Sequence, residues 1–276
     1  MNIGVVGLGL IGGSMAKAYR AKDHTVFGFD TDSLILGFAQ LSGAISGVLD
    51  ELSIAQCDVL FLAVNPGAAV TYLENTASKI AGKTMVIDCC GVKRFVCEKC
   101  FPLAVRHGFT FVGGHPMAGS HNAGFKNSRA NLFSGASMIL VPPVNDDAAL
   151  FGMIGDILKP AGFAHLTFTT AEIHDEMIAF SSQMAHVVSN AFIKSPTARG
   201  HKGFSAGSYK DLTRVARLDA DMWAELFIDN NDYLIKELDG FIDELKRYRQ
   251  ALAIRNKDGL TCLLEEGSMI KKELDH

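Results

Sequence analysis

Long apolar stretches are absent from this sequence of 276 residues. No apolar run reaches the roughly 18 residues that a membrane-spanning helix requires, so we expect no membrane partner. The first predicted strand begins close to residue 2, which leaves no space for a secretory leader. We therefore expect a cytoplasmic protein.

A strong excess of charge is also missing, because the formal net charge is only −4. This balance argues against a general affinity for nucleic acids, and we expect no nucleic-acid partner. Basic side chains nevertheless cluster between residues 194 and 217, where Asp211 is the only acidic residue. A solvated basic loop is one interpretation of this cluster, and a site for a small anionic substrate is the other.

Cysteine pairs of the kind that bind zinc are lacking as well. The six cysteines include Cys97 and Cys100 in CxxC spacing, but no second pair with metal-ligand spacing follows. We therefore expect no metal site. Reduced thiols packed as small apolar groups are the favoured interpretation, and thioredoxin-like redox chemistry is the alternative.

The N-terminus carries a glycine fingerprint in which Gly7, Gly9 and Gly12 follow a short apolar strand and open a helix. In a dinucleotide-binding turn, the first glycine permits a tight bend and the second admits a pyrophosphate. The third glycine lets the helix lie close to the strand. The backbone N–H groups at the start of the helix, with Leu10 and Ile11, would then face the phosphate charge. The alternative is a glycine turn of the same fold that binds no dinucleotide.

An acidic residue ends the second predicted strand. Asp30 lies about 20 residues beyond the glycines, where a carboxylate would accept hydrogen bonds from both adenosine ribose hydroxyls. A 2′-phosphate would meet like charge there, because Asp32 adds to it and residues 31–36 contain neither Arg nor Lys. NAD is therefore the expected cofactor rather than NADP. Val64 and Gly91, which follow two later strands, complete the predicted cofactor contacts.

Strands and helices alternate over the first part of the chain, which predicts a parallel sheet with crossover helices. The predicted strands cover residues 3–6, 25–29, 59–64, 84–88, 110–112 and 137–141. Helical patterns dominate afterwards, over residues 170–194, 209–216, 220–256 and 258–274. We therefore predict an α/β Rossmann-type, NAD-binding domain over residues 1–165, followed by an all-α domain over residues 166–276. The long apolar face of the 220–256 helix predicts that the second domain, which would bind substrate, also forms a homodimer.

A histidine in the segment GGHPMAGS, at residues 113–120, is the first candidate for chemistry. Pro116 keeps His115 out of helical backbone, and the flanking glycines allow a sharp bend. We expect His115 to project from a loop beyond the carboxyl end of a strand, where open parallel sheets bind their ligands. A structural histidine is the alternative.

Two further segments lie in the predicted helical domain. Ser182 and His186 are four residues apart, so they share one face of the 170–194 helix. Gly207 precedes Lys210 and Arg214, and the planar guanidinium of the arginine suits a carboxylate. A buried histidine bonded within its helix and a surface ion pair are the respective alternatives.

Together these segments resemble the prephenate dehydrogenase family of tyrosine biosynthesis. The resemblance runs through GLGLIGGS at 7–14, FGFD at 27–30, GGHPMAGS at 113–120, HDEMIAFSSQMAH at 174–186 and SYKDLTRVA at 208–216. It implies oxidative decarboxylation of prephenate, a small-molecule substrate, to 4-hydroxyphenylpyruvate and CO2, with reduction of NAD. It also implies a catalytic set in which His115 takes a proton, His186 contacts substrate oxygens and Arg214 anchors a carboxylate. Ser182, Lys210 and Gly207 are the further substrate contacts.

The sequence departs from the family pattern at three positions. Gly91 stands where the family often has a serine near the catalytic histidine. Gln183 replaces a frequent histidine, and Ala185 replaces a frequent proline. These changes leave the reaction type intact and bear on the substrate choice and the hydrogen-bond network.

Three alternative functions remain open. Arogenate carries an ammonium that needs an acidic partner, and the basic stretch offers only Asp211, so prephenate is favoured. A β-hydroxyacid dehydrogenase of the 6-phosphogluconate type would use a catalytic lysine, and residues 170–190 contain none. An NAD-responsive binding protein would bind the cofactor without reducing it.

Overall fold

A computed structural model describes residues 1–119 and 122–275, so Ser120 of the GGHPMAGS segment lies outside the described residues. Eight strands of the described chain form one sheet. They are β1 (Asn2–Val6), β2 (Thr25–Phe29), β3 (Gly47–Val48), β4 (Val59–Leu62), β5 (Met85–Asp88), β6 (Thr110–Pro116), β7 (Ser137–Val141) and β8 (His165–Phe168). Their order across the sheet is β3-β2-β1-β4-β5-β6-β7-β8.

The first six strands run parallel in the order of a doubly wound sheet. Strand β1 pairs with both β2 and β4, so the winding reverses at β1 and opens a crevice at the carboxyl ends of these strands. Strand β7 is antiparallel to β6 and parallel to β8. This arrangement, with the helices that follow it, confirms the predicted fold class.

Helices cover both faces of the sheet. They are α1 (Leu10–Arg20), α2 (Ser33–Leu41), α3 (Glu51–Ile54), α4 (Pro66–Thr76), α5 (Arg94–His107) and α6 (Ala148–Leu158). Alternate residues of β4 face opposite layers: Phe61 packs in one apolar core with Tyr19 of α1, and Leu62 packs in the other with Leu73 of α4. Burial on both faces explains why the strands are continuous apolar runs rather than alternating ones.

The remaining chain is helical. It comprises α7 (Ala171–Ile178), a π-helical segment (Ala179–Met184), α8 (Ala185–Phe192), α9 (Gly207–Thr213), α10 (Ala220–Asp229), α11 (Asn231–Ala253) and α12 (Lys257–Leu274). The predicted single helix over residues 220–256 is therefore two helices, α10 and α11, that meet at Asn230. The Asn230 side chain is buried, and its Nδ2 donates to the carbonyl oxygen of Asp175 (2.8 Å), so the break serves a tertiary contact.

Strands β3 and β8 were not expected from the sequence. Strand β3 is only two residues long, which is too short for a recognisable pattern. Strand β8 begins at residue 165, where the boundary between the domains was predicted, and it still belongs to the sheet.

Candidate active site

The glycine turn between β1 and α1 has the close contacts that a dinucleotide-binding turn requires. Gly7 has a φ of +84°, and its N–H donates to the carbonyl oxygen of Phe29 (2.8 Å). A Cβ on Gly12 would lie 1.8 Å from the carbonyl oxygen of Gly7, so only glycine lets α1 approach the strand. A Cβ on Gly9, in contrast, would meet no described atom within 4 Å. The open side of the turn therefore lies at Gly9, where a pyrophosphate would bind.

The first turn of α1 has open N–H groups. Its N-cap residue, Gly9, offers no side-chain acceptor, and the first turn holds no acidic residue. Leu10 and Ile11 are half-buried and begin this turn. A helix start with these properties is suited to receive phosphate oxygens.

Asp30 accepts hydrogen bonds from the glycine turn and from the backbone that follows β2. Its Oδ2 accepts from the N–H of Leu8 (2.7 Å), and its Oδ1 accepts from the N–H of Asp32 (2.9 Å). The carboxylate oxygens have lone pairs left for ribose hydroxyls, since each oxygen can accept two hydrogen bonds. Asp32 caps the N-terminus of α2, since its Oδ1 accepts a hydrogen bond from Leu34 N–H (2.8 Å). These contacts fit an unphosphorylated adenosine ribose.

Val64 and Gly91 lie beyond the carboxyl ends of β4 and β5. Val64 packs against the turn, since a Cβ on Gly7 would lie 2.4 Å from its Cγ1. The space next to Gly91 is taken by Leu226 of α10, whose two Cδ atoms lie 3.2 Å from where a Cβ would be. The structure thus places both residues at the edge of the sheet that carries the glycine turn.

His115 lies on a strand and not on a loop, which corrects the expectation from the sequence. Strand β6 pairs with β5 only up to Val112, and β7 then pairs with residues 113–116, opposite Ile139 at His115. Strand β7 therefore keeps residues 113–116 extended beyond the point where the pairing with β5 ends. Gly114 is required here, because a Cβ would lie 2.3 Å from the carbonyl oxygen of Asp88. His115 is therefore held more rigidly than a loop residue would be.

A second histidine contacts His115 from the helical part of the chain. His115 Nδ1 lies 2.9 Å from Nε2 of His174 on α7, and His174 Nδ1 lies 2.7 Å from Oδ1 of Asp175. His115 is half-buried, and its Nε2 forms no hydrogen bond within residues 1–119 and 122–275. Burial, with His174 and the Lys93 ammonium nearby, holds the pKa of His115 well below its usual range. The imidazole is thus neutral and able to accept a proton.

A buried ion pair lies beneath His115. Lys93 and Asp88 have fully buried side chains, and Lys93 Nζ donates to Asp88 Oδ1 and to the carbonyl oxygen of Gly114 (2.6 Å). Burial alone would lower the pKa of Lys93, but the Asp88 carboxylate outweighs it and raises that pKa. Asp88 also accepts from Cys90 N–H (2.8 Å). The pair fixes the end of β5 against β6.

Three of the residues predicted to contact substrate meet in a cleft of about 390 Å³ between the π-helical segment and α9. Ser182, His186 and Arg214, all predicted from the sequence, line this cleft together with Asp211. The His186 ring stacks on Trp223 with a centroid distance of 3.8 Å. Its Nδ1 lies 3.0 Å from the carbonyl oxygen of Ser182 and therefore carries the proton. Arg214 is exposed.

Gly207 and Lys210 are exposed residues of α9, outside the cleft lining. Gly207 is the first residue of the helix, and Lys210 lies one turn before Arg214. The structure therefore groups Arg214 with Ser182 and His186, whereas Gly207 and Lys210 do not line the cleft.

Gln183 is buried and does not line the cleft. Its Nε2 donates to the carbonyl oxygen of Leu226 (3.0 Å), and its Oε1 accepts from Asn230 Nδ2 (2.9 Å). This departure from the family pattern therefore joins helices together. Ala185, the other replacement on this helix, does line the cleft.

His174, Asp175, Asp88 and Lys93 were not assigned roles from the sequence. The sequence signals for them are the adjacent His–Asp pair at the start of the 174–186 segment and the segment DCCGVK at 88–93, which keeps the Asp and Lys of the family pattern. Their contacts join residues that are far apart along the chain, so spacing alone could not reveal them.

Within residues 1–119 and 122–275, no group of three or more His, Cys, Asp or Glu could hold a metal ion. Cys97 and Cys100 are buried, free thiols on α5, and burial raises the pKa of Cys100 to about 12. No described helix is long and apolar enough to cross a bilayer.

Two family profiles match the chain. "Prephenate dehydrogenase, nucleotide-binding domain" matches residues 15–166, and "Prephenate dehydrogenase, dimerization domain" matches residues 170–266. Among curated relatives, the cyclohexadienyl dehydrogenase of Zymomonas mobilis is 29% identical over 287 residues, which cover 100% of this chain and 97% of that protein.

Solved structures of the same overall shape span the whole chain. The prephenate dehydrogenase of A. aeolicus, in complex with hydroxyphenyl propionate and NAD+, has a TM-score of 0.82 at 25% identity and covers 99% of this chain and 98% of its own. Synechocystis arogenate dehydrogenase has a TM-score of 0.81 at 24% identity, covering 99% of this chain and 100% of its own, and shows the shared fold. Since the two profiles together span most of the sequence, the chain belongs to the prephenate dehydrogenase family.

Proposed function

We propose that the protein is an NAD-dependent enzyme that oxidatively decarboxylates prephenate to 4-hydroxyphenylpyruvate and CO2. The observation that carries this proposal is the position of His115. A neutral, half-buried imidazole, bonded through Nδ1 to His174, lies on the strand next to β5, at the edge of the sheet that carries the glycine turn. Membership in the family and the NAD+ held by the A. aeolicus relative support the same conclusion.

The chemistry requires a base at the hydroxyl of the substrate ring. His115 takes the hydroxyl proton at Nε2, while the carbon that bears the hydroxyl loses a hydride. NAD, when bound, supplies the hydride acceptor. The ring carboxylate then leaves as CO2, and the electrons of its broken bond make the ring aromatic. The ring oxygen regains a proton, so the proton taken by His115 returns to the product.

The cleft supplies the substrate contacts. Arg214 pairs with a carboxylate of prephenate, and its planar guanidinium allows two parallel hydrogen bonds. His186 and Ser182 contact substrate oxygens from the facing helix, because both line the same cleft. Lys210 and Gly207, on the helix that carries Asp211 and Leu212 of the lining, are proposed to complete the pocket when substrate is bound.

Arogenate is the second candidate substrate, and one observation favours it. Asp211 lines the cleft together with Arg214, so an acidic partner for the arogenate ammonium is present. To decide between the two substrates, purified protein and NAD are mixed with prephenate or arogenate in parallel reactions, and NADH absorbance is followed. Faster turnover of prephenate is expected, and absence of turnover with both compounds would refute the proposed function.

We further propose a homodimer formed through the helical domain, which was predicted over residues 166–276. Because β8 belongs to the sheet, we propose that the nucleotide-binding domain ends after Phe168 and not at residue 165. Exposed apolar side chains on α11 and α12 support it: Ile235, Ile242, Leu245, Met269 and Ile270. The profile that matches this part carries the description "dimerization domain". Sedimentation of the purified protein should give the mass of two chains, and Ile242→Asp should shift it toward one. A wild-type protein that sediments as a single chain would contradict the dimer.

The location of the enzyme is proposed from its chemistry. The reaction draws on free NAD and on a metabolic intermediate, and we therefore place the enzyme in the cytoplasm. Fractionation of cells that express the protein tests this location.

A further inference from the structure

Three side chains stand in a line that ends at His115. Asp175 Oδ1 lies 2.7 Å from His174 Nδ1, and His174 Nε2 lies 2.9 Å from His115 Nδ1. The side chains of His174 and Asp175 are fully buried, so no solvent competes for these contacts. The line begins on α7 in the helical part of the chain and ends on β6 in the sheet.

Asp175 is an ionised acceptor in this arrangement. Its Oδ1 also accepts from Lys93 N–H (2.7 Å), and its Oδ2 accepts from Arg94 N–H (2.9 Å) and Arg94 Nε (3.3 Å). Burial alone would raise the pKa of Asp175, but the hydrogen bonds from His174 and from these backbone groups lower it. A carboxylate cannot donate, so the proton between Asp175 and His174 belongs to His174 Nδ1.

This assignment fixes the protons of both imidazoles. Burial keeps the pKa of His174 below its usual value although Asp175 opposes that shift, so His174 is neutral. A neutral imidazole carries one proton, and His174 holds it on Nδ1, which leaves Nε2 as an acceptor. His115 must therefore donate from Nδ1, and the lone pair of His115 lies on Nε2.

We propose that His174 and Asp175 are positioning residues that hold His115 as its Nδ1–H tautomer and stabilise the imidazolium that forms when Nε2 takes the substrate proton. The proposal deepens the proposed function and rests on it for the identity of the proton donor. During the step, the O–H bond of the substrate breaks and an N–H bond forms at His115 Nε2. His115 then carries two N–H groups, and its Nδ1–H still donates to His174.

The charged groups near His115 act in opposite directions. Lys93 is paired with Asp88, but its ammonium still lowers the pKa of His115. Asp175 opposes burial at His174 through their hydrogen bond. An imidazolium at His115 therefore depends on the Asp175 carboxylate, which acts through His174.

Variants at His174 separate positioning from packing. His174→Phe keeps a ring of similar size but removes both nitrogens, and we expect kcat to fall about 100-fold while KM changes by less than about threefold. His174→Gln places an amide oxygen near the former Nε2 and should recover about tenfold of that loss, because His115 regains an acceptor. His174→Asn keeps a partner for Asp175 only, and it should resemble the Phe variant. The acidic limb of the kcat/KM profile should move to lower pH in the Phe variant, since the imidazolium of His115 loses its acceptor.

A measurement without substrate tests the tautomer itself. Nitrogen-15 NMR of histidine-labelled protein, with His115 assigned by its loss in His115→Asn, should show a protonated Nδ1 and an unprotonated Nε2. In the Phe variant the proton should move to Nε2, which is the tautomer favoured in water. A wild-type His115 protonated on Nε2, or a Phe variant with unchanged kcat and pH profile, overturns the proposal. If the enzyme turned over neither prephenate nor arogenate, the proposed function would be wrong. The NMR result would still show which nitrogen of His115 carries the proton.

Discussion

Leu226 occupies the space next to Gly91 that a side chain at that position would enter. A Cβ on Gly91 would lie 3.2 Å from both Leu226 Cδ atoms, a distance that forces the leucine to move by a few tenths of an ångström. The hydroxyl that the family often places here is therefore replaced by an apolar contact between the sheet edge and α10. His115 finds its hydrogen-bond partner in His174 instead.

Restoring a serine at this position should destabilise the protein. We expect Gly91→Ser to lower the free energy of unfolding by about 1 kcal/mol, because the added atoms overpack the contact with Leu226. When Leu226→Val is added to the Gly91→Ser variant, most of the lost free energy of unfolding should be recovered. A double-mutant cycle from urea unfolding measures this recovery. Gly152→Ser on α6, where a Cβ would meet nothing within 4 Å, is the matched control. Strictly additive effects of the two substitutions would contradict the contact.

Loss of the base should abolish chemistry without loss of the cofactor. His115→Asn should lower kcat by about 10²–10⁴-fold, because no group at that position can then take the hydroxyl proton. The dissociation constant for NAD, measured by calorimetry, should stay nearly unchanged. His165→Asn, at an exposed histidine of β8, is the control and should leave both quantities intact. Near-normal turnover of the His115 variant would show that it is not the base.

Removal of the anchoring cation should act on binding. Arg214→Gln should raise the KM for prephenate about 10- to 100-fold, since a charge-assisted hydrogen bond to a carboxylate contributes about 1.5–3 kcal/mol. Arg217→Gln removes a nearby exposed cation that does not line the cleft, and its KM should remain close to that of the wild type. Equal effects of the two variants would point to the overall positive charge of the segment and not to one anchoring residue.

Asp211 decides between the two substrates. If the arogenate ammonium binds there, Asp211→Asn should lower kcat/KM for arogenate about tenfold or more and leave the value for prephenate nearly the same. Initial rates with both compounds, measured on the same preparation, give the ratio. A parallel change for both substrates would assign Asp211 to the shape of α9 rather than to selectivity.

Stability should fall as the solution becomes acidic. The pKa values of His115 and His174 are lowered by burial in the folded chain, so below about pH 6.5 the unfolded chain binds more protons. The stability that these groups contribute is thus present above that pH and is lost as pH falls, by up to about 1.4 kcal/mol per pH unit for each histidine. Urea unfolding between about pH 7.5 and pH 5.5 measures the slope, which His174→Phe should reduce. His165→Asn, at an exposed histidine of β8, is the matched control.

Local patterns in the sequence predicted the nucleotide-binding half because its function depends on consecutive residues. The contacts of Gly7 and Gly12 follow from a single turn, and Asp30 ends the neighbouring strand. The antiparallel pairing of β7 with β6 around His115 could not be predicted, because a short apolar run does not indicate in which direction a strand runs. The bond between Asp175 and Lys93 N–H joins residues 82 positions apart, and only the packed structure brings them together.

The contacts from Asp175 through His174 to His115 also link the sheet to a helix that comes much later in the chain. The glycine turn and β6 lie ahead of residue 120, whereas the partner that sets the protons of His115 arrives with α7, after residue 170. Without α7, His115 would lack the acceptor for its Nδ1–H, and its proton could occupy either ring nitrogen. The protonation pattern of His115 therefore depends on the packing of the helical part against the sheet, where the backbone N–H groups of residues 93 and 94 bind Asp175.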